Sequence, residues 1–285
     1  MDLRLCTILY ICGGLTVLGQ TKDNPTYLRR TFDNPHQLRD FAIELQLAGW
    51  PVDFEEGPVI SAGELVQKTS PTGIPVLAKK VVPLTVSLSA NEMAETDNQA
   101  RTTLIQRVFS SYAALGNRDS YGVRSQGRYL DIVPLQIVGG DGTVQRFEPV
   151  LDTKIAFTEK RFDNLYGLVA TVLEQASQKR GVSIILGNVP SNIFRRYPVV
   201  EVATDEPARE VLERAFGEIN GPRLAEGLSA VALPWTLSYD PTNAQYWFNV
   251  NAIEMQLPGV ADHRASTPKN TEQIPTGAPH TVRKQ

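Results

Sequence analysis

The feature that most limits how this chain can fold is an imperfect internal repeat. The tripeptide Phe32-Asp33-Asn34 recurs as Phe162-Asp163-Asn164, and each copy leads into an amphipathic helix. In the first copy Leu38, Phe41, Ala42, Leu45 and Ala48 keep the i, i+3, i+4 spacing of one helix face. In the second, Leu165, Leu168, Val169, Val172, Leu173 and Ala176 do the same. Gly49 or Gly181 closes each helix, and a short strand follows, Pro51 to Phe54 or Val182 to Leu186.

The parallel continues. Leu84, Val86 and Leu88 alternate with polar residues as a second strand, as do Val200 and Val202 around Glu201. A second helix follows each. Its stripe is Leu104, Ile105, Val108, Phe109 and Tyr112 in the first copy, and Ala208, Val211, Leu212, Ala215 and Ile219 in the second. Asp205 is placed to cap the latter helix, with Pro207 in its first turn. Each copy ends in a β-hairpin. Tyr121–Arg124 pairs with Tyr129–Val133 across Ser125-Gln126-Gly127, and Trp235–Tyr239 pairs with Gln245–Asn251 across Asp240-Pro241-Thr242-Asn243. The pattern predicts an α+β protein of two tandem α-β-β-α-β-β units, with helices packed on small mixed sheets.

The organisation expected is a signal peptide over 1–19, an irregular lead-in over 20–31 and a first unit over 32–138, with an insertion at 57–80. A junction over 139–151 around Gly139-Gly140-Asp141-Gly142 leads to a second unit over 152–257. The segment 258–285 is rich in Pro, Thr and charge, lacks apolar periodicity and reads as a disordered tail. In the leader, Arg4 precedes an apolar run from Leu5 to Leu18, shorter than the ~20 residues a spanning helix needs. Val17 and Gly19 suit a signal-peptidase site. The mature chain is therefore expected to be exported and not membrane-spanning, in the periplasm or outer envelope of a Gram-negative bacterium. Both cysteines, Cys6 and Cys12, lie in the leader, so the mature chain has neither a disulfide nor a thiol nucleophile.

The elements of the second copy resemble the short STN domain at the N termini of secretins and TonB-dependent receptors. The matching features are the helix Leu165–Ala176, the strand Gly181-Val182-Ser183-Ile184-Ile185, the turn Asn188-Val189-Pro190 and the strand Pro198–Val202. They continue with the helix start Glu206-Pro207-Ala208-Arg209-Glu210-Val211-Leu212 and the hairpin Leu233–Val250. The resemblance covers roughly residues 162–252, and a weaker version covers 32–133, where 57–80 is longer than the family's usual connection. It implies a periplasmic module that contacts protein partners or senses an envelope signal.

The residues exclude several chemistries. The net charge is −3, and no basic face suggests nucleic-acid binding. There is no His-Glu-x-x-His, P-loop, Gly-x-Gly-x-x-Gly or Gly-x-Ser-x-Gly pattern, so no catalytic residue, metal site or cofactor is assigned. Of the three histidines, only His36 lies in the expected folded region, where it reads as a solvent-facing helix residue. Asp53, Glu55 and Glu56 read as a solvated strand face, with Asp53 and Glu55 turned to water if Phe54 faces the core. A hydrolase working through that carboxylate pair is the enzymatic alternative. Gly139-Gly140-Asp141-Gly142 reads as a turn rather than a calcium loop, because EF-hand spacing is absent.

The binding candidates are Trp247, Asn249 and Asn251, which share one face of the last strand while Tyr246, Phe248 and Val250 share the other. An indole plane beside amides suits a sugar or peptide. Arg195 and Arg196 could meet an anionic partner. The expectation is a non-enzymatic exported binding or protein-interaction module, its partner an envelope protein or a peptide or glycan ligand. An accessory subunit of a secretin or TonB-linked assembly is the variant that the resemblance favours.

Overall fold

The computed structural model describes residues 27–255, except 60 and 71. The signal-peptide and tail expectations fall outside the described residues. The protein is α+β. Its first half runs β1 (Tyr27–Phe32), α1 (Gln37–Leu47), β2 (Val52–Glu55), β3 (Leu65–Thr69), β4 (Pro75–Lys79), β5 (Leu84–Ser89), α2 (Ala90–Met93), α3 (Asn98–Ala114), β6 (Ser120–Gln126), β7 (Tyr129–Val138) and β8 (Val144–Arg146). The second runs β9 (Lys154–Phe162), α4 (Leu165–Arg180), β10 (Ser183–Leu186), α5 (Ser191–Phe194), β11 (Val199–Pro207), α6 (Ala208–Glu218), α7 (Asn220–Ala225), β12 (Val231–Ala232), β13 (Trp235–Asp240), β14 (Gln245–Val250) and β15 (Ile253–Glu254). Among the described residues no helix is long and apolar enough to cross a membrane.

The strands and caps differ from expectation in places. Residues 27–31, expected to be irregular, belong to β1, which pairs antiparallel with β5; β9 pairs in the same way with β11. Each half therefore opens with a strand ahead of the Phe-Asp-Asn tripeptide. The insertion at 57–80 carries an antiparallel hairpin of its own, β3 with β4. Asp205 does not cap α6: it adopts φ 58° inside β11, and the helix begins at Ala208 with Pro207 as its N-cap and no side-chain cap. The Asp141 turn closes the β7–β8 hairpin, with Gly142 N donating to Gly139 O at 2.9 Å.

The two halves share a seven-stranded sheet of order β10-β14-β13-β2-β7-β6, with β8 also paired to β7. The short strand after each half's first helix pairs parallel with the second strand of that half's hairpin, β2 with β7 and β10 with β14. The halves meet where β13 pairs parallel with β2, Thr236 opposite Phe54 and Leu237 opposite Glu55.

Strand alternation decides what lies on each face. Val52 and Phe54 point into a core formed with α1 and α3, among Phe41, Leu45, Ile105 and Val108. Trp235, Leu237, Tyr246 and Phe248 point the opposite way, into a core formed with α4 and α6, among Leu168, Val172, Val211 and Phe216. The first half's helices thus cover one face of the shared sheet and the second half's helices cover the other.

This arrangement overturns the solvated-face reading of Asp53, Glu55 and Glu56. Asp53 and Glu55 are 0% exposed and Glu56 is 7% exposed. Phe54 does face a core, but the opposite face of β2 is roofed by α6 of the other half, and β13 and β7 flank the strand. The buried carboxylates find work at the seam. Asp53 Oδ1 accepts from Trp235 N at 2.8 Å and Glu56 Oε2 from Tyr239 N at 3.0 Å. They satisfy β13 amides on either side of the short β2–β13 pairing. Glu55 accepts from the backbone N–H of Val150 and Leu151.

Arg209, at the start of α6 and 2% exposed, binds this group from the second half. Its Nη2 donates to Glu55 at 2.8 Å and its Nε to Asp152 at 2.7 Å, and its guanidinium lies 5.4 Å from the Trp235 ring centroid. Removing one partner of a buried ion pair leaves the other charged and unsolvated, at a cost of about 3–5 kcal/mol. Arg209→Met is therefore expected to lower unfolding free energy by roughly that amount in urea titrations, with both halves melting in one transition. Arg107→Ala, which removes an exposed pair with Glu92, should cost no more than about 1 kcal/mol.

Candidate functional site

One cleft lies beyond the helices, on the sheet face that α1 and α3 partly cover. The register sets Ser238 of β13 opposite Trp247 of β14 and continues two residues on to Asn249 on the same face. These residues form the cleft floor. The turn and strand of β4, Ile74 to Lys79, make one wall, and the β13–β14 turn, Asp240 to Asn243, makes another. Pro35, His36 and Arg39 close the remaining side at the start of α1. The cleft volume is about 590 Å³, within the usual range for a small-molecule site. Leu77 N donates to Thr242 Oγ1 at 3.0 Å, tying the two walls together.

Its chemistry is mixed. Trp247 is 39% exposed and Leu77 42%, giving apolar surface. Trp50 and Trp235 are buried, so Trp247 is the one tryptophan of the three that solvent reaches. His36 is not the freely solvated helix residue that its position suggested. Its Nδ1 lies 2.9 Å from both carboxylate oxygens of Glu56, because the end of β2 returns beneath the start of α1. With Nδ1 engaged, Nε2 is the ring's remaining hydrogen-bonding atom. Glu56 is in turn anchored by Tyr239 N. Ser238 lines the cleft with its buried hydroxyl making no hydrogen bond.

The five binding candidates are not brought together. Trp247 and Asn249 line the cleft. Asn249 Oδ1 accepts from Asn188 N at 2.8 Å, which holds the side chain against the turn after β10. Asn251 lies past the end of β14, where its side-chain amide donates to Gln46 of α1. Arg195 and Arg196 lie outside the cleft lining. Arg196 pairs with Glu226 at 2.9 Å and stands over the Tyr197 ring. His36, Glu56 and Ser238 are the site residues that the sequence reading did not assign. The sequence marks His36 as the lone histidine of the folded region, but nothing in it shows that Glu56 lies beside it.

The second concentration of chemistry lies under α6. Asp53 and Asp131 are register partners on β2 and β7, on the face toward the second half. Glu213, one helical turn after Arg209, joins them, and one ligand-capable oxygen from each of the three lies within 4.8 Å of the others. Burial, then the proximity of Asp131, pushes Glu213 up to about 8. Burial drives Asp53 well above the usual carboxylate range, with Asp131 and Glu213 adding to the effect. Burial also lifts Glu55 to about 7, against the pull of Arg209. These oxygen-only side chains could hold a hard cation.

Comparison with protein-family profiles, with curated proteins and with solved structures found no match. Acrylamide quenching is expected to act on a single emitting component, and Trp247→Phe should abolish that component while leaving the buried tryptophan emission in place.

Proposed function

We propose that the protein is an envelope-located binding protein that holds a small glycan or peptide ligand in the cleft over Trp247. The observation that carries this reading is an exposed indole on a rigid sheet floor, surrounded by Asn249, Ser238, Arg39 and the His36–Glu56 pair inside one walled volume. An aromatic plane supplies apolar contact to a sugar ring or a side chain, and the surrounding donors and acceptors orient hydroxyl or amide groups.

Binding suits the cleft better than catalysis. The Ser238 hydroxyl is not hydrogen-bonded to His36, so the pairing that activates a serine nucleophile is not in place. Asp53 and Glu55, the pair on which a hydrolase would depend, are sealed beneath α6 and do not line the cleft. The envelope setting and a role beside a larger envelope assembly belong to the same proposal, and rest on the signal peptide expected from the sequence and on the resemblance to STN domains.

Titration calorimetry with N-acetylated hexosamine oligosaccharides and with short peptides tests the reading. A ligand from one of these classes should bind and perturb Trp247 emission. Trp247→Ala should weaken that binding at least about tenfold, or about 1.4 kcal/mol, without changing the unfolding midpoint. Binding that survives Trp247→Ala unaltered, or no binding from either panel, counts against it.

A further inference from the structure

The structure assigns a second, independent site: Asp53, Asp131 and Glu213 form a binding site for a hard divalent cation at the seam between the halves. The charges on this face of the sheet divide into two groups. Arg209 is committed to Glu55 and Asp152, and Arg124 donates to Asp152 at 2.7 Å. Arg209 Nη1 also lies 3.4 Å from Asp131 Oδ2, an ion pair without a hydrogen bond, so two cations face Glu55, Asp152 and Asp131. Asp53 and Glu213 make no ion pair among the described residues.

The unsatisfied atoms point to a ligand. Asp131 is 0% exposed, and neither of its carboxylate oxygens has a hydrogen-bond partner. Asp53 is also 0% exposed, and its Oδ2 is unpartnered, as is Glu213 Oε1. Carboxylates directly opposite on adjacent strands repel, and a buried acceptor left unbonded is costly. A cation answers both demands at once.

The spacing admits such an ion. Ca²⁺ binds oxygens at about 2.4 Å, so opposed ligands stand up to about 4.8 Å apart. The three oxygens lie within that separation. Mg²⁺ resists giving up its water, which favours Ca²⁺ at a site built from protein carboxylates. Trp235 N–H already occupies Asp53 Oδ1, which leaves Oδ2 to the ion. Glu213 also borders a shallow depression of about 440 Å³ beside Gln126 and Tyr129, which offers a way in from solvent.

Calorimetry of the folded protein with Ca²⁺ tests the assignment, alongside Tb³⁺ luminescence excited through tryptophan. Saturable binding, emission from Tb³⁺ and a raised melting temperature in Ca²⁺ are expected. Glu213→Gln changes a partly exposed residue and keeps the fold, as circular dichroism can verify; it should weaken binding at least tenfold. Asp141→Asn, in the glycine turn, should leave binding unchanged. Absence of heat, emission and thermal shift at millimolar Ca²⁺ would overturn the assignment. So would undiminished binding in folded Glu213→Gln, which would place the ion elsewhere.

Discussion

The contact of Arg209 with the carboxylates of Glu55, Asp131 and Asp152 is the interaction on which the rest of the architecture depends. Two backbone register pairs, Thr236 with Phe54 and Leu237 with Glu55, make a short junction between strands of different halves. Side chains extend that junction in three directions. Asp53 and Glu56 receive β13 amides, Glu55 receives the amides of the 3₁₀ turn at Val150–Asp152, and Arg209 reaches across from α6 to Glu55 and Asp152. Burying charge in this way is expensive, and a hydrophobic substitute for the whole group can be as stable. What ionic and hydrogen-bonded groups add here is position: the partners define one register and one docking angle for α6.

The cleft inherits that position. Its floor is sheet from the second half, its walls include β4 and the start of α1 from the first, and Glu56 belongs to the seam and the cleft alike. Glu56 holds Tyr239 N from the same carboxylate that meets His36. A disturbance at the junction is thus carried to the cleft through two hydrogen bonds.

Local periodicity made the helices legible. All six stripe residues named on α4 are buried, as are four of five on α1; only Ala48, at the helix end, is exposed. The alternation on β14 also reads directly, with Tyr246, Phe248 and Val250 inside and Trp247 outward. Alternation could not report the fate of Asp53 and Glu55. It says which residues share a face, and nothing about what covers that face. The cover comes from Arg209, 154 positions away from Glu55. One local signal was present: Arg209 and Glu213 sit beside the apolar stripe of α6, where charge is out of place unless a partner waits. His36 and Glu56 were separated by 20 positions and by a change of element, so no spacing rule joins them.

The shared sheet also determines what either half would be alone. Parted at the seam, the first half would present β2 and the second β13 as bare sheet edges, each carrying unpaired amides and carbonyls. Such edges recruit other strands, including those of identical chains, and lead to aggregation. Within the intact chain each half serves as the other's edge guard, and β10 and β6 take the outer positions. Splitting the polypeptide between Val138 and Lys154 should therefore yield two self-associating fragments rather than two soluble modules, so the unit that must be inherited, expressed and folded is the pair.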